Sequence, residues 1–217
     1  MIYELRRYTL RPGQRDTLIT LFEREFVEAQ EATGMRITGT FRDHGAPDTF
    51  PWLRAFPDMR TRRESLDAFY TGPVWLANRD AANATLIDSD DVLLLHSVGS
   101  EFPVWDRPPV GAGEPPASLY AATIYHVEDG FSAFFAREVA PVLAEAGVPP
   151  VACLETEHSP NDFPRLPVRT GENVFVWFAR FDTPEEAREV DLPTLESRLT
   201  AAPERLLLRP TARSSLR

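Results

Sequence analysis

Lysine is missing from this chain: all 23 basic residues among its 217 are arginine. A Schiff base, to a substrate or to pyridoxal phosphate, needs a lysine amine, so that chemistry is excluded. A single cysteine, Cys153, excludes an internal disulfide. Its apolar setting in "VACLE" marks a small buried residue rather than a nucleophile. No apolar run approaches the roughly 20 residues that cross a bilayer. The opening residues lack the charged and apolar regions of a secretory signal. These gaps lead to the expectation of a cytoplasmic protein with no membrane partner. Positive charge is also in short supply: 33 acidic residues leave a net charge of −10, which argues against nucleic acid as a partner. There is no Cys-x-x-Cys-His, no glycine-rich phosphate loop and no Gly-x-Ser-x-Gly. None of the four histidines has metal-ligand spacing, "ETEH" (155–158) being the nearest approach. A haem would need His96 or His126, the strand histidines, as its axial ligand. The expectation is therefore no cofactor and no metal.

What the chain does have is internal similarity. "IYELRRYTL" (2–10) and "LYAATIYHV" (119–127) are both β-prone, tyrosine-bearing runs ended by a glycine. Helical periodicity follows each. Leu18, Leu21, Phe22, Phe26 and Ala29 share one helix face, and Phe131, Phe134, Phe135, Val139 and Val142 repeat the pattern. Gly34 and Gly147 end these helices, and Pro141 is expected to kink the second. "TFPWLRAF" (49–56) then aligns with "VFVWFARF" (174–181), matching Phe50, Trp52 and Phe56 to Phe175, Trp177 and Phe181. Acidic helix starts "PDMRTRRE" and "DTPEEARE" follow, and "DVLLLHSVGSEF" (91–102) pairs with "RLLLRPTARSSL" (205–216). The reading is α+β, with two ferredoxin-like βαββαβ repeats over 1–101 and 119–217 and a Pro/Gly-rich linker over 102–118.

Such a unit is a four-stranded antiparallel sheet with helices on one face. Its bare face must be buried. Sheet against sheet gives a barrel-like core, either within one chain or across a homodimer, and the sequence leaves both open.

The stretches "IYELRRYTLRPG" (2–13), "GMRITGTF" (34–41) and "LLLRPTARSSLR" (206–217) resemble the NIPSNAP family. The resemblance implies a dimeric α/β-barrel fold, similar to that of small monooxygenases of antibiotic biosynthesis. It also implies that the strand face bearing Glu4, Arg6 and Tyr8 points into the barrel. The third strand departs from the family pattern, carrying Trp52 and Arg54, then Trp177 and Ala179, where a His and a Trp are usual.

The expected catalytic set is Glu4, Arg6, Tyr8, Arg54 and Tyr125. Arginine can clamp a carboxylate, phenolate or enolate, a buried carboxylate can act as base, and the tyrosines can donate. Trp52, Phe56, Thr123, Trp177 and Phe181 are the expected substrate-binding wall. A purely structural Glu4–Arg6 ion pair is the alternative. In the second copy Ala121, Thr123 and Ala179 replace Glu4, Arg6 and Arg54, which suggests one lopsided pocket. His126 is assigned to the helix side. Residues 158–171, "HSPNDFPRLPVRTG", contain a twelve-residue insertion relative to the first half. They read as a lid with Phe163 and Arg165, a dimer contact or a surface loop. Three functions stay open: a cofactor-independent enzyme (proton transfer, isomerisation, cyclisation or oxidation) on an aromatic or polyketide-like metabolite, a non-catalytic small-molecule binder, and a self-associating interaction protein with a side-chain-filled barrel.

Overall fold

The structure is a computed structural model that describes residues 1–217 apart from Ser100, Val104, Ala112 and Pro193, and apart from the side chain of Glu196. Parts of the expected 102–118 linker therefore lie outside the described residues. In chain order the first half forms β1 (Ile2–Leu10), helix α1 (15–31), β2 (Arg36–Asp43), β3 (Thr49–Phe56), α2 (Met59–Thr71), α3 (Pro73–Asn83), the short β4 (Leu86–Asp88) and β5 (Val92–Val98). The second half forms β6 (Leu119–His126), helix α4 (131–145), β7 (Ala152–Thr156), β8 (Val174–Phe181) and β9 (Glu204–Pro210).

The strand order β5-β1-β3-β2 of the first half recurs as β9-β6-β8-β7 in the second, counted first to last as fourth, first, third, second. The edges of the two sheets then join, β2 to β9 and β5 to β7, and every pairing is antiparallel. Among the described residues, eight of the nine strands thus close a ring, with β4 a spur on the end of β1. The architecture is an α+β barrel closed within one chain, so pairing across two chains is not needed to bury the sheets. Closure also satisfies the backbone groups that free sheet edges would leave bare.

The faces of β1 are the reverse of the expected ones. Tyr3 and Leu5 point into the barrel, where they pack with Leu53, Leu95, Tyr120, Ile124 and Phe178 in a filled apolar core. Glu4, Arg6 and Tyr8 point outward beneath α1 and α2, with Trp52, Arg54 and Phe56 of β3 beside them. The outward assignment follows from what can satisfy each face. A closed barrel packed with aliphatic and aromatic side chains offers a carboxylate or a guanidinium no partner, whereas the helix layer supplies Arg62 to Glu4 and Gln30 to Arg54. By the same alternation Ala121, Thr123 and Tyr125 of β6 face outward. His126 lies on the barrel side, near Glu172 and Glu204, and not on the helix side as expected. The barrel end it occupies is capped by ion pairs among Arg7, Asp91, Arg169 and Glu204. The linker is no loose tether: Phe102 packs in the barrel core, and Arg107 bonds Glu31, the Ile37 carbonyl and Ser215.

Both long helices contain a π-helical segment, Phe22–Phe26 in α1 and Phe135–Val139 in α4. Each inserts one residue into the 3.6-residue period, so the buried face slips by one position. Gln30 rather than Ala29 is buried to 1%, and Leu143 is buried while Val142 is 43% exposed. Pro141 falls in the first turn after the second π segment, where its missing N–H costs little. The shared cause is not proline, since α1 has none. Gly34 (φ 98°) and Gly147 (φ 73°) end the helices in the left-handed conformation that favours glycine.

One expected element is different. The acidic segment from Asp182 makes only a short 3-10 turn, Pro184–Glu186, with another at Glu196–Arg198. The counterpart of α2 is not formed among the described residues of the second half, so β6 and β8 are covered by irregular chain.

Candidate functional site

Two spaces between sheet and cover lie on opposite sides of the ring, because β1 and β6 are four strands apart in either direction. In the first, the register sets Glu4 opposite Arg54 and Arg6 opposite Trp52. Glu4 Oε2 accepts from Arg6 Nη1 and Arg54 Nε, both at 2.7 Å, and Oε1 accepts from Arg62 Nε at 2.7 Å. All four side chains are at most 1% exposed. Burial would raise the Glu4 pKa, but Arg54, Arg6 and Arg62 hold its carboxyl well below the usual carboxylate range. Trp52 lies under two of these cations, 5.1 Å from Arg54 Cζ and 5.7 Å from Arg6 Cζ, which offsets part of their desolvation. Arg6 Nε donates to the Tyr8 hydroxyl at 3.1 Å, and burial pushes the Tyr8 pKa up against the pull of Arg6. Arg62 Nη1 donates to Asn161 and Asp162 of the 158–171 segment. This layer is closed.

The second layer is open. At the matching register positions stand Ala121 opposite Ala179, and Thr123 opposite Trp177. Two alanines where the first half has Glu4 and Arg54 remove side-chain volume from the floor. With no long second helix above, a cleft of about 680 Å³ remains. Its walls include Tyr125, Leu143, Trp177, Phe181 and Leu195, and its rim carries Arg188, Glu189, Asp191 and Arg205. Arg188 donates to the Ala146 and Gly147 carbonyls, and Arg205 pairs with Glu189, so the irregular cover is tied to α4 and β9. Trp177 Nε1 is buried without an acceptor in hydrogen-bond geometry. It sits beside the Tyr125 hydroxyl, whose pKa burial raises while Trp177 and Arg205 pull it back. Two donors thus meet in the aromatic wall of a cleft whose rim is charged.

The expected single pocket is therefore divided. Tyr125, Thr123, Trp177 and Phe181 line the open cleft, whereas Glu4, Arg6, Tyr8, Arg54, Trp52 and Phe56 belong to the closed layer. Arg6 and Arg54 reach neither solvent nor Tyr125's side of the barrel. Sequence reasoning missed Arg62, Gln30 and Asp162. Arg62 was within reach, since its "TRRE" helix follows the third strand and must pack over Glu4. Cys153 is only partly buried, yet burial pushes its thiol up to about 12, away from nucleophilic use. His96, on the outer face, contacts Glu155 at 3.0 Å and Glu157 at 3.5 Å. Among the described residues no group of three or more His, Cys, Asp or Glu side chains is placed to hold a metal ion, and no helix is long and apolar enough to cross a membrane.

The NIPSNAP family model matches residues 3–99, the span that supplies Glu4, Arg6, Arg54 and Arg62. The first half is a NIPSNAP domain. Across the whole chain the fold is similar to solved structures of a proposed monooxygenase from Fusobacterium nucleatum (TM-score 0.64, 8% identity, 99% of this chain and 94% of that one) and another from Lactobacillus acidophilus (0.61, 13%, 99% and 96%). An anthrone oxidase-like protein is similar over 97% of this chain and 91% of its own, with TM-score 0.58 and 12% identity. At such identities the likeness concerns the barrel, and it extends beyond the NIPSNAP domain into the second half. None of the curated proteins compared with the chain matches its sequence.

Proposed function

We propose that the protein is a small-molecule-binding barrel whose ligand site is the open cleft of the second half, and that the second half is a diverged NIPSNAP-like unit. The observation that carries this reading is the alanine pair, Ala121 and Ala179, under a 680 Å³ cleft walled by Tyr125 and by Trp177, whose Nε1 is buried without an acceptor. The volume falls within the ~300–1,000 Å³ of small-molecule sites. Aromatic walls suit a planar ring system, and the donors suit a carbonyl or phenolic oxygen on it. The ligand class is an aromatic or polyketide-like metabolite. Donors at a carbonyl also acidify the adjacent C–H, which favours cofactor-independent proton transfer or oxidation over simple storage. The names of the structural neighbours, monooxygenases and an anthrone oxidase-like protein, agree with this class.

Anthrone is a suitable probe. Titration calorimetry of the full chain should show binding, and Ala179→Leu, which fills the floor, should weaken it by about tenfold or more. Oxygen uptake with conversion of anthrone and O2 to anthraquinone and water then separates an enzyme from a binder. Equal affinity in wild type and Ala179→Leu overturns the cleft as the site.

A further inference from the structure

The closed layer of the first half holds an imbalance that the cleft reading does not use. Three guanidiniums, Arg6, Arg54 and Arg62, face two carboxylates, Glu4 and Asp162. Glu4 is saturated, with a guanidinium contact to each oxygen and three in all. Arg62 has a fully buried side chain whose Nη1 shares Asn161 and Asp162 and whose Nη2 makes no hydrogen bond; Arg54 Nη2 makes none either, but it lies 2.6 Å from Glu4 Oε2. A buried guanidinium nitrogen without an acceptor is costly and marks a place for one.

What covers Arg62 comes from the other half of the chain. Residues 158–171 leave β7, cross to the first half and return to β8. They bring a carboxylate and a phenyl ring from adjacent residues. Asp162 Oδ1 sits 2.7 Å from Arg62 Nη1, and its side chain is 26% exposed. Phe163 stacks on Tyr70 at 6.1 Å between ring centroids and is 7% exposed, with Arg165 Cζ 5.3 Å above it. Phe163 also packs in the same apolar cluster as Trp52 and Phe69. Within the strap, Leu166 N–H donates to the Phe163 carbonyl, Phe163 N–H to Asn161 Oδ1 and Asn161 Nδ2 to the Leu166 carbonyl, while Arg169 anchors its far end through its N–H to the Val92 carbonyl and its side chain to Asp91.

We propose that Arg62 and Tyr70 form a second ligand site, specific for an aryl carboxylate, which the strap occupies with Asp162 and Phe163 as a built-in pseudo-ligand. An incoming carboxylate takes Arg62 end-on, pairing both Nη1 and the Nη2 that Asp162 leaves free. The ligand's ring replaces Phe163 against Tyr70. The strap lifts, and its closed population lowers the apparent affinity of the intact protein.

The probes are phenylpropionate, phenylbutanoate and phenylpentanoate, each against its neutral carboxamide, titrated into the full chain carrying Ala179→Leu so that the cleft is blocked. The double variant Asp162→Asn/Phe163→Ala, in which the strap no longer competes, should bind at least one of the acids about tenfold or more tighter than the chain with the native strap. The amides should not bind comparably. Unchanged or weaker acid affinity, or equal affinity for acid and amide, overturns the site. Hydrogen exchange of the unsubstituted protein gives a readout that does not depend on a variant folding. Saturation with the acid should speed exchange at the Leu166 amide, because lifting the strap takes Phe163 and Leu166 off the apolar cluster and exposes their turn to water. Unchanged protection there also overturns the proposal.

Discussion

The two halves use one strand register to opposite ends. Where β1 and β3 place Glu4 against Arg54, β6 and β8 place alanine against alanine. Charge on the first floor requires closure, because a carboxylate with three guanidiniums is tolerable in a dry layer only when every group finds a partner. Helices α1 and α2 and the 158–171 strap provide that for all but the Nη2 groups of Arg54 and Arg62, which make no hydrogen bond. Small residues on the second floor require nothing, and the irregular cover leaves a cleft that water or a ligand can enter. The lesson is that two sheets of one strand order can differ in what they enclose through side-chain volume. The half with the more reactive-looking residues is the sealed one.

The comparison breaks most visibly at Glu4. Replacing it by glutamine leaves Arg6 and Arg54 without a carboxylate and Arg62 with Asp162 alone, and unfolding in urea should show a loss of about 3–5 kcal/mol. The same residue should govern acid stability. Its folded pKa is depressed, whereas the unfolded chain titrates near ~4.3, so its contribution is complete above that pH and drains as pH falls below it toward the folded value. An acid titration followed by circular dichroism should show a shallower decline for Glu4→Gln than for wild type. A smaller effect is expected for Arg54→Met, about 1.5–3 kcal/mol of stability for charged hydrogen bonds lost. Anthrone affinity should not change, since Arg54 is across the barrel from the cleft. A drop in affinity would show that the two layers communicate. Smallest is Trp177→Phe, which removes the free indole donor and should cost about 0.5–1.5 kcal/mol of anthrone binding with little change in unfolding midpoint. Trp52→Phe, its counterpart, should leave binding untouched.

The α+β barrel was legible in the sequence because aromatic residues recur in register: Phe50, Trp52 and Phe56 against Phe175, Trp177 and Phe181. Which face of a strand lies inside was not legible. β1 is buried on both sides along most of its length, so alternation separates two sets without ranking them. Tyr3 and Leu5 fit either side, and the charges of Glu4 and Arg6 find their place only through Arg62, a helix residue 58 positions from Glu4. The slip from Ala29 to Gln30 and from Val142 to Leu143 depends on π segments, which leave the apolar spacing before them intact. The missing helix after Asp182 was misread because an acidic start signals where a helix can begin, not whether an apolar face exists to hold it down. The strap's destination was likewise a matter of tertiary contact, although its length had marked it.

The ring is sealed at two seams, β2 with β9 and β5 with β7, and both partners arrive late in synthesis. Once residue 98 has emerged, the first half possesses a complete sheet with two unpaired strand edges and an apolar underside. It must wait for residues 152–156 to cover one edge and for residues 204–210 to cover the other. During that interval it is a template for any passing strand, including the same edges on a neighbouring nascent chain. A chain cut before β9 should therefore exchange strands or aggregate rather than persist as a quiet half-barrel.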